Sequence, residues 1–182
     1  RNLVTQVCKL KGLDNGVSKM YIGECIGLIG PNGSGKTTLI KSILGMVVPD
    51  SGFRTFKDNN ILHHWKYRDE IGYMPQIGRY QDNMTIGQVL DMMKDIRGTK
   101  AALDEDLIKA FTLKNLLNKR MRTLSGGTRQ KVSAALAFLF DPAALILDEP
   151  TAGLDPVASE LLKEKIIAEK EKGKLVLNTS HV

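Results

Sequence analysis

The stretch of sequence that decides the fold is Gly30, Pro31, Asn32, Gly33, Ser34, Gly35, Lys36, Thr37 and Thr38. It follows an apolar run at residues 25–30, which is typical of a buried strand, and it precedes a helical pattern at residues 38–44. Glycines allow successive backbone N–H groups to point inward, and the N-terminus of a helix also favours negative charge. The spacing Gly-x-x-x-x-Gly-Lys-Thr therefore predicts a phosphate-binding loop of the Walker A type rather than a chance glycine-rich turn.

The side chains of this loop have distinct expected tasks. Lys36 would bridge the β and γ phosphates of a nucleotide as a point charge, and the hydroxyl of Thr37 would bind Mg²⁺. Thr38 would donate a hydrogen bond to a phosphate oxygen. The loop alone leaves a kinase, a GTPase and a motor ATPase open.

A second element fits the same chemistry. Residues 144–149 read Ala-Leu-Ile-Leu-Asp-Glu, a buried strand that ends in two acids. Taken alone, these acids could equally be the cap of a following helix. Downstream of a Walker A loop they predict a Walker B element, in which Asp148 binds Mg²⁺ through water and Glu149 polarises the attacking water as general base.

Composition places this site in an ordinary globular domain. The chain has 182 residues, of which 42% are hydrophobic and 25% charged, as in one domain with a single core. Its net charge of +6 comes from scattered basic residues, so we expect no nucleic-acid partner. The longest apolar run, residues 134–140, is too short to cross a bilayer, and two cysteines fit a reducing compartment. A cytosolic location is therefore expected.

Apolar runs and helical patterns alternate along the chain, which predicts an α/β fold with a largely parallel sheet. Core strands are expected at residues 25–30, 143–148 and 175–178. Thr85 with Gln88 predicts a capping box that opens a helix to about residue 96, with Gly98 as its stop. Asp155 before a proline predicts a helix to about residue 172. Residues 51–73 are expected to form a small strand-rich insert.

The family is indicated by residues 124–130, Leu-Ser-Gly-Gly-Thr-Arg-Gln, at the start of a predicted helix. This segment resembles the signature motif of ATP-binding cassette (ABC) ATPases. Gln76 resembles the family's Q-loop, residues 152–155 its D-loop and His181 its switch histidine, all in the expected order. The resemblance implies one nucleotide-binding domain over residues 1–182, with a P-loop NTPase core, a mainly parallel sheet, a small antiparallel β subdomain and an inserted helical subdomain at about 76–124.

The resemblance also assigns roles to Gln76, Ser125, Gly126, Gly127, Asp155 and His181. The serine and the two glycines would cap the γ phosphate of ATP held by a second subunit, so that two subunits enclose two ATP molecules head to tail. The glutamine would reach Mg²⁺ or the attacking water, and the histidine would hydrogen bond the γ phosphate. The aspartate would cap its helix and would also act across the dimer interface.

The implied function is the ATP-hydrolysing subunit of a membrane transporter. It would work as a homodimer or with a second ABC ATPase, at the cytoplasmic face of the membrane, with a separate membrane subunit docking near the Q-loop and the helical subdomain. The sequences of residues 45–52 and 148–156 are most similar to those of ATPases of ABC-2-type exporters, which favours export. A soluble ABC ATPase acting on ribosomes or DNA is the alternative, and a plain P-loop kinase or GTPase leaves residues 124–130 unexplained.

Two departures from the family pattern bear on these expectations. The aromatic residue that stacks on adenine is expected shortly before residues 13–15, but only Cys8, Lys9, Leu10 and Lys11 stand there. The sequence ends one residue after His181, where the family normally continues. We therefore expect that a C-terminal part of the domain lies beyond this sequence.

Overall fold

A computed structural model describes residues 19–31, 33–47, 54–61, 63–98 and 103–180. The strands are β1 (Cys25–Ile29), β2 (Thr55–Phe56), β3 (Asn59–Asn60), β4 (Ile71–Met74), β5 (Ala144–Asp148) and β6 (Leu175–Ser180). The α-helices are α1 (Lys36–Ile43), α2 (Ile86–Arg97), α3 (Asp106–Ala110), α4 (Gly126–Phe138) and α5 (Pro156–Glu171). Short 3₁₀ turns occupy Lys66–Glu70, Leu113–Leu116 and Met121–Thr123. The predicted α/β class is confirmed.

Four strands form one parallel sheet in the order β1, β6, β5, β4. Every residue of β5 is buried, as expected of a strand that is covered on both faces. The pairing of β5 with β6 sets Asp148 opposite Thr179. Because all four strands run the same way, their carboxyl ends meet at one edge, where the phosphate loop follows β1 and Glu149 follows β5.

Apolar side chains of the sheet alternate between two cores. Ile146 and Leu177 belong to one core together with Ile40 of α1. Leu145 and Val176 belong to the other, which also contains buried side chains of α2, α4 and α5. This period-two alternation between neighbouring residues is what places helices on both sides of the sheet.

Both helix starts predicted from capping residues are confirmed. At the start of α2, the Thr85 hydroxyl accepts a hydrogen bond from the Gln88 N–H at 3.2 Å, and the Gln88 side chain accepts one from the Thr85 N–H at 2.9 Å. α2 stops at Gly98, whose φ of 59° lies in the left-handed region that favours glycine. At the start of α5, the Asp155 carboxylate accepts from the Ala158 N–H at 2.9 Å.

The predicted strand-rich insert at residues 51–73 is wrong in its extent. Residues 51–53 lie outside the described part. The remainder forms the two-residue strands β2 and β3, one 3₁₀ turn and then β4, which is the fourth strand of the main sheet. A Cβ on Gly72 in β4 would lie 2.8 Å from Pro142 and 2.9 Å from Leu145. Residues 71–74 are therefore packed tightly against the segment that leads into β5, and their pairing with β5 makes them a strand of the main sheet.

The described part of residues 76–124 contains α2, α3 and two 3₁₀ turns. Its assignment as an inserted helical subdomain stays a prediction.

Candidate nucleotide-binding site

The phosphate loop lies between β1 and α1. Gly33 has φ 81° and Gly35 has φ 89°, so both adopt left-handed conformations that other residues rarely take. Gly35 is also the N-cap residue of α1, and since it has no side chain, the first N–H groups of the helix have no side-chain cap. The loop thus presents backbone donors and the positive end of a helix dipole toward the same space.

Lys36 lies across this loop. Its ammonium group donates to the carbonyl oxygens of Gly30 at 2.5 Å and Pro31 at 3.0 Å. A Cβ on Gly30 would lie 2.8 Å from the Ser34 hydroxyl oxygen, so the loop has little space for a larger residue there. The two hydrogen bonds thus hold the Lys36 ammonium group, whose positive charge would balance that of a phosphate, beside the backbone N–H groups of the loop.

One open cleft of about 180 Å³ brings the loop and two distant residues together. It is lined by Gly33, Ser34, Gly35, Lys36, Thr37, Thr38, Gln76 and Glu149. Residues more than 100 positions apart in the sequence thus share one site, because β1, β4 and β5 end at the same edge of the sheet. Basic, hydroxyl, amide and carboxylate groups in one cleft are suited to phosphoryl chemistry in water.

The two acids after β5 have different environments. Asp148 is 4% exposed, and its carboxylate accepts a hydrogen bond from the Thr179 hydroxyl at 2.6 Å. Glu149 is half-buried and lines the cleft, where its carboxylate accepts a hydrogen bond from the Gln76 side-chain amide at 3.0 Å. The more exposed acid, Glu149, therefore faces the phosphate loop, whereas Asp148 is buried and bonded to Thr179.

The backbone of Glu149 is strained. Its φ of 51° is unfavourable for a residue with a side chain by about 1 kcal/mol. Two hydrogen bonds hold it there: its N–H donates to the Thr179 hydroxyl at 2.9 Å, and its carbonyl oxygen accepts from the Ala152 N–H at 3.0 Å. The turn directs the carboxylate away from the strand and into the cleft.

The oxygen donors at this site fit Mg²⁺. Thr37 offers a hydroxyl and Gln76 an amide oxygen, since its amide nitrogen is the atom that bonds Glu149. Asp148 does not line the cleft, so its carboxylate would reach a metal through water. Hydroxyl, amide and carboxylate oxygens together are the hard ligands that Mg²⁺ prefers.

The predicted signature residues lie apart from this cleft. Ser125 is exposed and caps α4, its hydroxyl accepting from the Thr128 N–H at 3.2 Å. Ser125, Gly126 and Gly127 do not line the cleft. A Cβ on Gly127 would lie 2.8 Å from the carbonyl oxygen of Gly153, so α4 packs closely on the turn before α5. The chain thus exposes a second helix N-terminus, separate from the phosphate loop.

Asp155 links α5 to α4. Besides capping α5, its carboxylate lies 2.6 Å from the Lys131 ammonium group. The hydrogen bond from Lys131, followed by that from the Ala158 backbone, lowers the pKa of the Asp155 carboxyl. The capping role is confirmed, and the role across a dimer interface stays a prediction.

Two predicted site residues, Asn32 and His181, lie outside the described residues. Sequence reasoning missed the role of Thr179. The Thr179 hydroxyl donates to the Asp148 carboxylate and accepts from the Glu149 backbone N–H. Burial, together with the charge of Asp148, raises the pKa of the nearby Tyr73 hydroxyl. The register between β5 and β6 places Thr179 beside Asp148, and that register was not legible from either strand alone.

A second group of carboxylates is unsuited to a metal. One oxygen each of Asp104, Asp141 and Glu169 lies within 4.8 Å of the others. Lys165 already pairs with Asp104 and Glu169, and Lys174 with Asp141 and Glu169. The cluster is therefore a network of ion pairs.

Known proteins are similar to this chain in sequence and in fold. The profile of the family described as ABC transporter matches residues 13–152. The chain belongs to the ABC transporter family. Nod factor export ATP-binding protein I of Burkholderia orbicola (strain AU 1054) is 35% identical over 173 residues, which is 92% of this chain and 57% of that protein. Phospholipid-transporting ATPase ABCA3 of Homo sapiens is 38% identical over 164 residues, which is 87% of this chain and 10% of that protein.

The fold comparison agrees with this membership of the ABC transporter family. A solved structure, described as that of an ATP binding subunit of ABC transporter, superposes with a TM-score of 0.86 at 31% identity. The match covers 94% of this chain and 73% of that one. The chain spans little more than half of its bacterial sequence relative. Across the described residues, no helix has both the length and the apolar character needed to cross a membrane.

Proposed function

We propose that this chain is the ATP-binding and ATP-hydrolysing subunit of an ABC transporter, and that it drives substrate movement through separate membrane subunits. The observation that carries the proposal is the cleft that holds Lys36, Gln76 and Glu149 together beside the amides of the phosphate loop. Family membership supports ATP as the nucleotide. Export is favoured, because the bacterial relative is named for Nod factor export.

The chain's own groups divide the work of hydrolysis. The loop amides and Lys36 would bind the β and γ phosphates, and Glu149 would accept the proton of the attacking water. Gln76 would hold the Glu149 carboxylate in place through the hydrogen bond described above. Thr37, Gln76 and Asp148 would hold Mg²⁺, which when bound polarises the phosphate oxygens.

We extend the proposal to a dimer. Ser125 and the glycines after it present an exposed helix N-terminus that does not belong to the cleft of the same chain. Such a terminus is suited to binding an anion. In the proposed dimer, of two copies or of this chain with a second ABC ATPase, it caps the γ phosphate held by the other subunit. His181 and Asp155 would complete that composite site.

The proposed partner is an integral membrane subunit, with this chain bound peripherally at the cytoplasmic face. The partner would dock near Gln76 and the helical region at 76–124. A soluble ABC ATPase that acts on ribosomes or DNA is the competing function.

The test of the chemistry compares two variants of the full-length protein. Glu149→Gln preserves shape but removes the base, so we expect ATP affinity to persist while kcat falls at least about 100-fold. Lys36→Ala should instead weaken ATP binding itself by about tenfold or more. Hydrolysis by Glu149→Gln within twofold of wild type, or unchanged ATP affinity in Lys36→Ala, would refute the assigned roles.

Partner and dimer are tested separately. Tagged Glu149→Gln protein is purified with Mg-ATP in mild detergent from its own host, and co-purifying proteins are identified by mass spectrometry. A polytopic membrane protein is the expected partner, whereas ribosomes or DNA would establish the competing function. Ser125→Arg should bind ATP as a monomer without forming the ATP-dependent dimer, and normal dimerisation of this variant would exclude the composite site.

A further inference from the structure

The small antiparallel hairpin carries a cavity of about 410 Å³ that is separate from the nucleotide cleft. The residues that line it all lie within 56–70, a stretch that contains β3, the loop after it and the first 3₁₀ turn. None of them lines the nucleotide cleft. The functions proposed above therefore leave this cavity without a role.

The floor of the cavity is apolar and aromatic. Phe56, Ile61 and Tyr67 line it, and each is buried. The rings of Phe56 and Tyr67 have centroids 5.8 Å apart and planes inclined at 45°. The Tyr67 hydroxyl donates to the carbonyl oxygen of Ile43 in α1 at 2.9 Å, so the polar end of this side chain is already satisfied. Tyr67 therefore contributes its ring to the floor, and α1 holds that ring in place.

An ion pair forms one part of the cavity wall. The turn between β2 and β3 consists of Lys57 and Asp58, whose φ values of 51° and 64° are those of a tight hairpin turn. From this turn the Lys57 ammonium group pairs with the Glu70 carboxylate and lies 5.9 Å from the centre of the Phe56 ring. The charges of Lys57 and Glu70 thus balance each other.

His64 and Lys66 form another part of the wall, and both are exposed. Unlike Lys57, Lys66 forms no ion pair within the part of the chain that the structure describes. A lysine ammonium group and an imidazole N–H are both hydrogen-bond donors. Since Glu70 is already paired, these two groups favour a carboxylate or a phosphate in the cavity over a cation.

The size and the lining of the cavity fit a small molecule. Small-molecule sites commonly have volumes of about 300–1,000 Å³, an apolar lining and a few polar groups that set the orientation of the ligand. An aromatic ring of the ligand would pack against the rings of Phe56 and Tyr67, as aromatic pairs do at centroid distances of about 4.5–7 Å. Its anionic group would lie toward Lys66. A neutral ring lacks the charge interaction, and inorganic phosphate lacks the apolar contact.

We infer that this cavity is a second ligand site, which binds a small planar anion, an aromatic or heteroaromatic carboxylate or phosphate, with Lys66 as the partner of its charge. The site does not depend on ATP hydrolysis, because none of its residues belongs to the nucleotide cleft. Lys66 is the decisive residue, since it is exposed and its replacement leaves the core intact. Trp65, the single tryptophan of the chain, is 62% exposed between His64 and Lys66 and reports on the cavity by its fluorescence.

The experiment titrates the purified full-length protein with phenyl phosphate, benzoate, benzyl alcohol, benzylamine and inorganic phosphate, and follows each compound by ligand-observed NMR. We expect saturable binding of phenyl phosphate and benzoate, about tenfold tighter than that of benzyl alcohol or inorganic phosphate, and the weakest binding for benzylamine. The emission of Trp65 should change with the same midpoint as the NMR titration.

Three variants locate the bound anion. Lys66→Glu should weaken phenyl phosphate and benzoate about tenfold, whereas Lys66→Arg, which keeps the charge, should stay within about twofold of wild type. Lys119→Glu is the matched control, an equal charge change at an exposed lysine outside the cavity, and it should leave the affinities unchanged. Lys36→Ala, in the phosphate loop, should also leave them unchanged.

Several results would overturn the inference: no saturable binding of phenyl phosphate or benzoate, equal affinity for benzoate and benzylamine, or wild-type affinities in Lys66→Glu. Weaker binding of phenyl phosphate to Lys36→Ala would also overturn it, because the probe would then lie in the nucleotide cleft. A Trp65 midpoint that differs from the NMR midpoint would place the probe elsewhere on the protein, with the same consequence. Since none of these titrations requires ATP hydrolysis, such a failure is distinguishable from failure of the proposed function.

Discussion

Replacing Lys165 with Met should lower the free energy of unfolding by about 3 kcal/mol, although methionine fills much of the same volume. Lys165 on α5 is 8% exposed. Its ammonium group lies 2.6 Å from Asp104, 2.8 Å from Asp106 and 3.1 Å from Glu169. Removing one partner of a buried ion pair leaves uncompensated charge and costs about 3–5 kcal/mol. The lower end applies here, because Asp106 is largely exposed and Glu169 keeps other partners.

The same cluster predicts how stability depends on pH. Burial by itself would raise the pKa of the Glu169 carboxyl, but hydrogen bonds from Lys172, Lys174 and Lys165 lower it to about 2. A carboxyl whose pKa falls on folding stabilises the protein above its ordinary pKa of 4.5, and that contribution is lost as the pH drops toward 2. Lys165→Met removes one of the three donors. The variant should therefore lose less stability than wild type between about pH 5 and pH 2.

Urea-induced unfolding followed by far-UV circular dichroism measures both effects. The matched control is Lys163→Met on the same helix, where a 54% exposed ammonium pairs with a 68% exposed Glu160 at 2.8 Å. Exposed pairs of this kind contribute about 0.5 kcal/mol or less. A Lys165→Met variant within about 1 kcal/mol of wild type, or one no less stable than Lys163→Met, would show that the cluster is not stabilising in the way argued.

Three further changes test the site and the sheet. Thr179→Val removes the hydroxyl that hydrogen bonds the Asp148 carboxylate and the Glu149 backbone N–H. We expect kcat for ATP hydrolysis to fall about 10–100-fold while ATP affinity changes little, because Thr179 positions both residues. An unchanged kcat would contradict this positioning role. Gly72→Ala places a Cβ against the carbonyl oxygen of Ala137, so we expect the free energy of unfolding, measured by urea denaturation, to fall by about 3 kcal/mol. A wild-type denaturation midpoint would contradict this expectation. Thr85→Ala removes the α2 cap and should cost about 1 kcal/mol in the same assay, whereas Thr85→Ser should restore most of it.

Features encoded by neighbouring residues were legible from the sequence. The phosphate loop, the capping box at Thr85 and the cap at Asp155 each depend on residue types within a few positions, and the structure has both capped helices starting where predicted. Strand β4 was missed because it is four residues long and contains a glycine, and its identity as a strand comes from pairing with β5. The role of Thr179 was missed for the same reason, since it follows from the register of two strands far apart in the chain.

The short segment 76–80 connects the nucleotide cleft to the helix α4, which are formed by residues far apart in the sequence. At one end, the Gln76 side chain bonds the Glu149 carboxylate in the nucleotide cleft. At the other, the Tyr80 hydroxyl lies 2.7 Å from the Ser133 hydroxyl of α4, the helix that begins at the signature residues. A Cβ on Gly78 between them would collide with Ser133, so the segment is packed tightly on that helix. The segment therefore touches both the Glu149 carboxylate and the helix α4. A displacement of this segment would therefore reach both halves of the proposed ATP site through five residues of chain.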